Sequence, residues 1–488
     1  MTDTGVVAEP RRGRSFLGQP PTLANLFGVE LWERFSFYGM QGILLIYLYY
    51  SAAEGGLGID RGTATSIVGA YGGLVYLSTV LGAWLADRLF GAERVLFHSA
   101  VLVMAGHVGL AVLPGLLGVG VGLVLVALGS GGVKATATSL VGSLYAEGDE
   151  RRDAGFSIFY LGINVGALVG PLATGLLQKN LGFHYGFGLA AVGMAIGLTQ
   201  YALGRRRLPA AAREVPNPLP PARRPVVAAV VALLLGLVAA LALAGLLPAQ
   251  RLSTIVVVLS VVAAVGYFVV ILASRAITVT ERRRVLAFIP MFLASAVFWS
   301  LYQQQFTVVT IYSDTRLDRT VLGWEMPVPW VQSINPVFII VLAGVFAALW
   351  TRLGPRQPSA PVKFAAGTVL MGVAFLLFLP LAGGGPNSAP LLALVGILLV
   401  FTVAELLLSP VGLSLSTKLA PTAYRTQMVA LFFLSVALGT AMSGTLARYY
   451  REEHEAAYFG ALGAAAIGFG LLLAAVAPLL RRLMGGVR

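Results

Sequence analysis

The 488-residue chain reads as an all-α integral membrane protein whose spans fall into sets of six, two and six. Three observations carry that expectation. Hydrophobic residues make up 57% of the chain and charged residues 11%, where an ordinary soluble domain has about a quarter charged. Apolar runs of about 20 residues, the length that crosses a bilayer as a helix, recur from one end to the other. Basic residues collect in alternate connections between those runs, the pattern of loops on the cytoplasmic side.

The elements follow in order. The first span is expected near 25–50, where G-V-E-L-W-E-R-F-S-F-Y-G leads into G-M-Q-G-I-L-L-I-Y-L-Y-Y. Spans near 62–86 and 95–114 are joined by the charged turn D-R-L-F-G-A-E-R, and spans near 118–145, 155–178 and 185–204 complete the first six. Residues 210–225, A-A-A-R-E-V-P-N-P-L-P-P-A-R-R-P, are too rich in Pro and Arg to continue a span and mark a boundary. Two runs, near 226–247 and 253–273, form an extra pair. The second six are expected near 285–312, 328–350, 363–381, 389–417, 426–448 and 456–480. This divides the chain into a tail at 1–24, a six-helix bundle at 25–208, a linker with the extra pair at 209–283, a second bundle at 284–480 and a tail at 481–488.

With the N-terminus inside, the cytoplasmic side collects most of the 34 Lys and Arg residues. The exceptions are Arg61, Lys179, Arg251, Arg316, Arg319, Arg448 and Arg451 on the other side, and Arg34 and Lys134 within spans. So strong a bias requires an even number of spans with both termini cytoplasmic. The net charge of +13 is then met by anionic lipid head groups rather than by nucleic acid, since no soluble basic domain exists to grip a duplex. The N-terminal residues, with Arg11, Arg12 and Arg14, lead into no short apolar core with a cleavage site, so no cleaved signal peptide is expected.

Other chemistries are poorly served. There is no cysteine, hence no disulfide framework or thiolate ligand. His98 and His107 share one span but lie about half a turn out of phase, so no metal site is expected. A phosphate-binding loop would need G-x-x-x-x-G-K-[ST] after a strand, and around Lys134 neither the spacing nor a strand is present. No cofactor and no enzymatic activity are expected, because the longest loops are Pro/Arg linkers.

Ionisable groups within spans are costly and face a cavity or one another. In the first span Glu30, Glu33, Arg34, Phe37, Tyr38 and Gln41 recur at helical spacing and fall on one stripe, the pattern of a cavity wall. Lys134 stands in A-L-G-S-G-G-V-K-A-T-A-T-S-L, where glycines permit close helix approach. An ammonium group there needs a carboxylate to stay charged, and Glu30 or Glu33 is expected to supply it. Glu405 lies in F-T-V-A-E-L-L-L-S-P-V-G-L-S, where Ser409 and Pro410 loosen the helix. Asp87, Arg88 and Arg94 cluster at a cytoplasmic turn and are expected to form a salt-bridge network locking one access state. Two six-helix halves with buried charges point to a transporter alternating access around a midplane site.

These stretches resemble the proton-coupled oligopeptide transporters of the major facilitator superfamily. E-L-W-E-R-F-S-F-Y-G is similar to the family's E-x-x-E-R-F-x-Y-Y-G motif, and G-A-W-L-A-D-R-L-F-G-A-E-R (82–94) to the superfamily's loop motif, with Gly82, Asp87, Arg88, Gly91 and Arg94 as its structural and gating positions. D-A-G-F-S-I-F-Y-L-G-I-N-V-G-A-L-V-G-P, W-V-Q-S-I-N-P-V-F-I-I and A-E-L-L-L-S-P-V-G-L-S resemble signatures of the fifth, eighth and tenth core helices. The resemblance implies a major facilitator fold of fourteen transmembrane helices, two six-helix bundles plus a two-helix central insertion.

It also implies roles. Arg34 and Lys134 would meet a peptide's carboxylate, Glu405 its amino group, and Asn164 and Asn335 its backbone or termini. Tyr38, Tyr71, Tyr160 and Trp299 would line side-chain pockets, with Gln303, Ser409 and Phe432 also at the substrate. Glu30, Glu33, Lys134 and Glu405 would carry the proton coupling. The sequence departs from the family pattern at three places: Ala135 and Thr136 follow Lys134 where K-P-N is common, Gln303 replaces the seventh-helix glutamate, and Phe432 stands where many members have tryptophan. The implied protein is a monomeric proton-driven importer of di- and tripeptides in the cell's inner (plasma) membrane, in contact with membrane lipids. The same scaffold would also suit an amino acid, nitrate or a peptide-like drug.

Overall fold

A computed structural model describes residues 15–146 and 149–486. The expectations for Arg11, Arg12 and Arg14 and for residues 487–488 fall outside the described residues. Six helices come first: α1 (Thr22–Tyr49), α2 (Arg61–Leu85), α3 (Ala92–Val112), α4 (Gly115–Gly142), α5 (Arg151–Leu181) and α6 (Phe183–Gly204). The extra pair is α7 (Arg224–Leu243) and α8 (Leu252–Ala273). There follow α9 (Val279–Tyr302), its short continuation α10 (Val308–Thr315), α11 (Ile334–Leu353), α12 (Ala360–Leu376), α13 (Leu391–Lys418), α14 (Arg425–Ala447) and α15 (Glu455–Leu483). Among the described residues 13 helices are long and apolar enough to cross a membrane. The helix α1, 28 residues long, joins them on length and carries Glu30, Glu33 and Arg34 among its buried residues.

Local chemistry starts and stops these helices. Asp60 caps α2 by accepting the Thr63 amide at 2.9 Å. Thr278 and Glu281 form a reciprocal capping box at the start of α9. Gly182, at φ 105°, ends α5 and turns the chain directly into α6. Outside the helices, Leu317–Asp318 pairs with Ala389–Pro390, and Thr320–Val321 forms a small hairpin with Trp324–Glu325.

In the first set α1 packs on α5 and α6, α3 on α4 and α6, and α2 on α4. A Cβ at Gly166 or Gly170 of α5 would come within 2.4 Å of α1 carbonyl oxygens, so only glycine lets these two helices approach backbone to backbone. In the second set α12 packs on α13 and α15, and α9 on α12, α14 and α15. Between the sets α2 lies against α14, and α5 against α11 and the turn before it. The helix α8 rests on that seam, its Ser253 hydroxyl 3.2 Å from Ser66 of α2 and 3.0 Å from Thr445 of α14.

Two spans expected to be continuous are broken. The 285–312 run leaves the α-helix at Gln303–Phe306, and Thr307 sits at φ −126°, ψ −93° before α10 begins. The Thr310 hydroxyl donates to the freed Gln305 carbonyl at 2.8 Å, which makes a break tolerable at membrane depth. The 328–350 run begins as a tighter turn, Val328–Ser333, because Pro327 and Pro329 precede α11.

The two ends of the molecule differ. At one end the sets are tied together: Tyr49 and Tyr50 donate to Asp314 at 2.6 and 2.8 Å, Arg61 pairs with Glu452 at 2.5 Å and Lys179 with Glu325 at 3.4 Å. Trp330 Nε1 and the Ser333 hydroxyl donate to carbonyls of α5 at 2.9 and 2.8 Å. The other end, which carries Gln357, Lys363 and Lys418, is open to a cavity.

Candidate functional site

The cavity holds about 850 Å³ and enters between the two sets of helices. Deeper, a narrower chamber of about 200 Å³ continues it, sharing Tyr76, Tyr160, Trp299, Glu405 and Ser409 with the outer part. One wall carries Glu30, Arg34 and Lys134 from α1 and α4, and the facing wall carries Glu405, Ser409 and Phe432 from α13 and α14. Tyr38, Gln41, Asn164, Gln303 and Asn335 line the inner chamber. Residues separated by hundreds of positions in the chain therefore share one space.

On α1 the stripe behaves as a charge cluster. Arg34 lies 2.7 Å from Glu30, one helical turn earlier, and its Nε is 3.3 Å from Glu33. The Ser130 hydroxyl of α4 donates to Glu33 at 2.7 Å. All three charged side chains are buried, so their mutual pairing offsets the cost of taking the charges out of water. Among the described residues Arg34 Nη1, Glu30 Oε2 and Glu33 Oε2 have no hydrogen-bond partner, which leaves donor and acceptor capacity in the cluster for a ligand or a proton.

Lys134 meets aromatic rings rather than the expected carboxylate. No carboxylate of a described residue forms an ion pair with Lys134; its Nζ lies over the rings of Phe37 and Tyr76, at 5.3 and 5.5 Å from their centroids. The reason is local. Arg34 reaches both carboxylates from the same helix at i+4 and i+1, while α4 presents Ser130, one turn before Lys134, to Glu33. Lys134 is thus held by aromatic faces and keeps its hydrogen-bond donors toward the cavity.

The opposite wall centres on Glu405. Its Oε2 accepts from the Tyr302 hydroxyl at 2.6 Å and from Asn335 Nδ2 at 3.4 Å. Asn335 also donates to the Thr402 hydroxyl at 2.9 Å, and Tyr302 lies 3.2 Å from Asn335 Oδ1. Trp299 packs edge-on to Tyr302, and its buried indole N–H has no partner among the described residues. Tyr38 stacks on Phe306, just beyond Gln303, at the break after α9. Asn164 donates back to the Tyr160 carbonyl at 2.9 Å.

Not every expected residue reaches the cavity. Tyr71 is buried behind Phe37, ring centroids 6.0 Å apart, and lines neither chamber; Phe37 and Gly72 take its place on the wall. The charged turn also differs from expectation. Asp87, Arg88 and Arg94 take part in none of the ion pairs among the described residues; the backbone carbonyls of Asp87 and Arg88 instead accept Asn217 and Leu219 amides of the linker at 3.0 and 2.8 Å. The ion pairs there are made by Glu93, bidentate to Arg205 at 2.5 and 3.0 Å and 4.0 Å from Arg213. Gly91 has φ 80°, and a Cβ there would meet the Arg213 carbonyl at 2.6 Å, so the linker lies flat on this turn. Gly82 lets α2 meet α4, 2.7 Å separating a would-be Cβ from Gly132 Cα.

Sequence reasoning missed Tyr302, Tyr76, Ser130 and Thr402. A signal existed for three of them: Trp299, Tyr302 and Gln303 are spaced i, i+3, i+4, Ser130 precedes Lys134 by one turn, and Thr402 precedes Glu405 by three residues. Polar groups one turn from a candidate site residue share its helix face and meet the same neighbouring helices.

The POT family model matches residues 93–465. A di-/tripeptide transporter of Lactococcus lactis subsp. cremoris is 40% identical over 489 residues, with 97% of this chain and 98% of the relative covered. The peptide transporter YePEPT of Yersinia enterocolitica subsp. palearctica is 34% identical, with 90% of each chain covered. A crystal structure of the peptide transporter POT in complex with sulfate is similar with a TM-score of 0.92 at 45% identity, covering 96% of this chain and 97% of that one.

Proposed function

Because the chain belongs to the POT family of membrane transporters and not to an enzyme family, we propose that it is a proton-driven symporter that imports di- and tripeptides by alternating access. One observation carries the substrate class. A single cavity holds two cations, Arg34 and Lys134, on one wall and a carboxylate, Glu405, on the other. A zwitterion with its charges at opposite ends complements that arrangement, and an inorganic anion would meet Glu405 unfavourably.

The proton coupling follows from the Arg34 cluster. A proton taken by Glu30 or Glu33 weakens its hold on Arg34, which then turns to the peptide carboxylate beside Lys134. Glu405 draws the ammonium group, and Asn164 and Asn335 hold the backbone. Tyr38, Tyr160, Trp299, Gln303, Ser409 and Phe432 surround the side chains. With both ends of the substrate engaged the sets rock, and the ties of Asp314, Glu325 and Glu452 open or close the far end. Gln303 cannot carry a proton, so the coupling falls to Glu30, Glu33, Lys134 and Glu405. Inward movement of one net charge supplies about 2.3 kcal/mol per 100 mV, roughly fortyfold accumulation.

The divisions 25–208, 209–283 and 284–480 act as bundle, insertion and bundle, with 1–24 and 481–488 as tails. Both termini lie in the cytoplasm, and the protein sits in the plasma membrane as a monomer surrounded by lipid. On this orientation the structure is open inward, since the open end is the one carrying the basic connections. The test is uptake of labelled dialanine into proteoliposomes with and without an acid-outside gradient. Gradient-driven uptake is expected. Its absence, or competition by nitrate but not by tripeptides, would overturn the proposal.

A further inference from the structure

We propose that Tyr302 is the positioning residue of the ammonium subsite, holding the Glu405 carboxylate so that one oxygen is left for the substrate. The inference rests on the peptide-transport reading above and extends it to a residue to which that reading assigns no role. Tyr302 gives its hydroxyl proton to Glu405 Oε2 at 2.6 Å, the shorter of its two contacts. Asn335 Nδ2 donates to the same oxygen at 3.4 Å. Both donors thus converge on Oε2, and Oε1 of a cavity-lining carboxylate remains for an ammonium group.

The tyrosine is itself fixed. Its ring stacks on Phe298 at 5.7 Å, meets Trp299 edge-on at 5.1 Å and lies 6.2 Å from Phe401. A ring packed on three aromatic neighbours places its hydroxyl with little freedom, whereas a glutamate on α13 alone would sample several rotamers. A hydrogen bond from a neutral donor to a carboxylate is among the stronger ones, and preorganisation lowers the cost of binding. The break that follows at Gln303–Phe306 puts Tyr302 at the last residue of α9, where the hydroxyl can cross to α13.

The test is a double-mutant cycle in the full-length protein, reading dialanine uptake in proteoliposomes as KM and maximal rate. Tyr302→Phe removes only the hydroxyl. It is expected to raise KM about tenfold, the scale of one hydrogen bond to a charged group, with the maximal rate within about twofold of wild type. In a Glu405→Gln background the same change is expected to alter KM less than twofold, because its target is gone. Ligand-induced thermal stabilisation in detergent at saturating dialanine reads the same cycle if uptake by the Glu405→Gln variant is too slow. A Tyr302→Phe protein with unchanged KM, or one whose loss adds in full to that of Glu405→Gln, would overturn the proposal. Wild-type protein that takes up no dialanine would overturn the peptide reading itself and the proposal with it.

Discussion

Arg34 and Lys134 are both cations on one cavity wall, yet their removal should affect folding very differently. Arg34→Gln leaves Glu30 and Glu33, 2% and 0% exposed, without the guanidinium that lies 2.7 and 3.3 Å away. Breaking a buried pair by removing one partner costs about 3–5 kcal/mol. Lys134→Gln removes contacts with two aromatic rings at 5.3 and 5.5 Å and orphans no carboxylate, a loss of about 1–2 kcal/mol. The gap is about 1–4 kcal/mol, at least roughly fivefold in the folded-to-unfolded ratio. Denaturation midpoints of the two purified variants in one detergent at neutral pH measure it. Both variants should lose gradient-driven uptake. Equal destabilisation of the two variants would show that the carboxylates are not paired through Arg34.

Other outcomes follow from single features. Gly82→Ala places a methyl 2.7 Å from Gly132 Cα and should cost about 1–3 kcal/mol, whereas Gly120→Ala, with nothing within 4 Å, should be neutral or slightly stabilising in the same melting assay. The chain has no cysteine, so Lys179→Cys with Glu325→Cys can be bridged selectively by a short thiol cross-linker. Bridging ties α5 to the loop before α11 and should stop uptake, with recovery on cleaving the cross-link; undiminished uptake would mean that this end does not open. Asp60→Ala should cost about 1 kcal/mol through loss of the α2 cap. Hydrogen bonding from Thr63 holds the Asp60 carboxyl below its ordinary value of 3.8, so the cap's contribution is present above that value and is lost as pH falls through the lowered one. Melting curves of the variant and wild type between pH 7 and 5 should therefore run parallel.

The span count, the six-two-six grouping and the cavity-facing stripe of α1, apart from Glu33, which lines neither chamber, were legible in the sequence because each rests on local periodicity and apolar length. Charge in the loops and the motif residues around Glu30, Lys134 and Glu405 were legible for the same reason: they need only neighbours a turn or two away. What lay across helices was not. Periodicity puts Lys134 on a face of α4 but leaves undetermined that Ser130 would take the contact with Glu33, or that Phe37 and Tyr76 would hold the ammonium group. It puts Tyr71 on a face of α2, while the packing of Phe37 decides that the tyrosine stays behind the wall. The partners of the charged turn came from a linker more than a hundred residues away. Helix period determines the direction in which a side chain leaves its own axis; the rotation, depth and spacing of neighbouring helices determine what it meets, and those are set by the packing of the whole bundle.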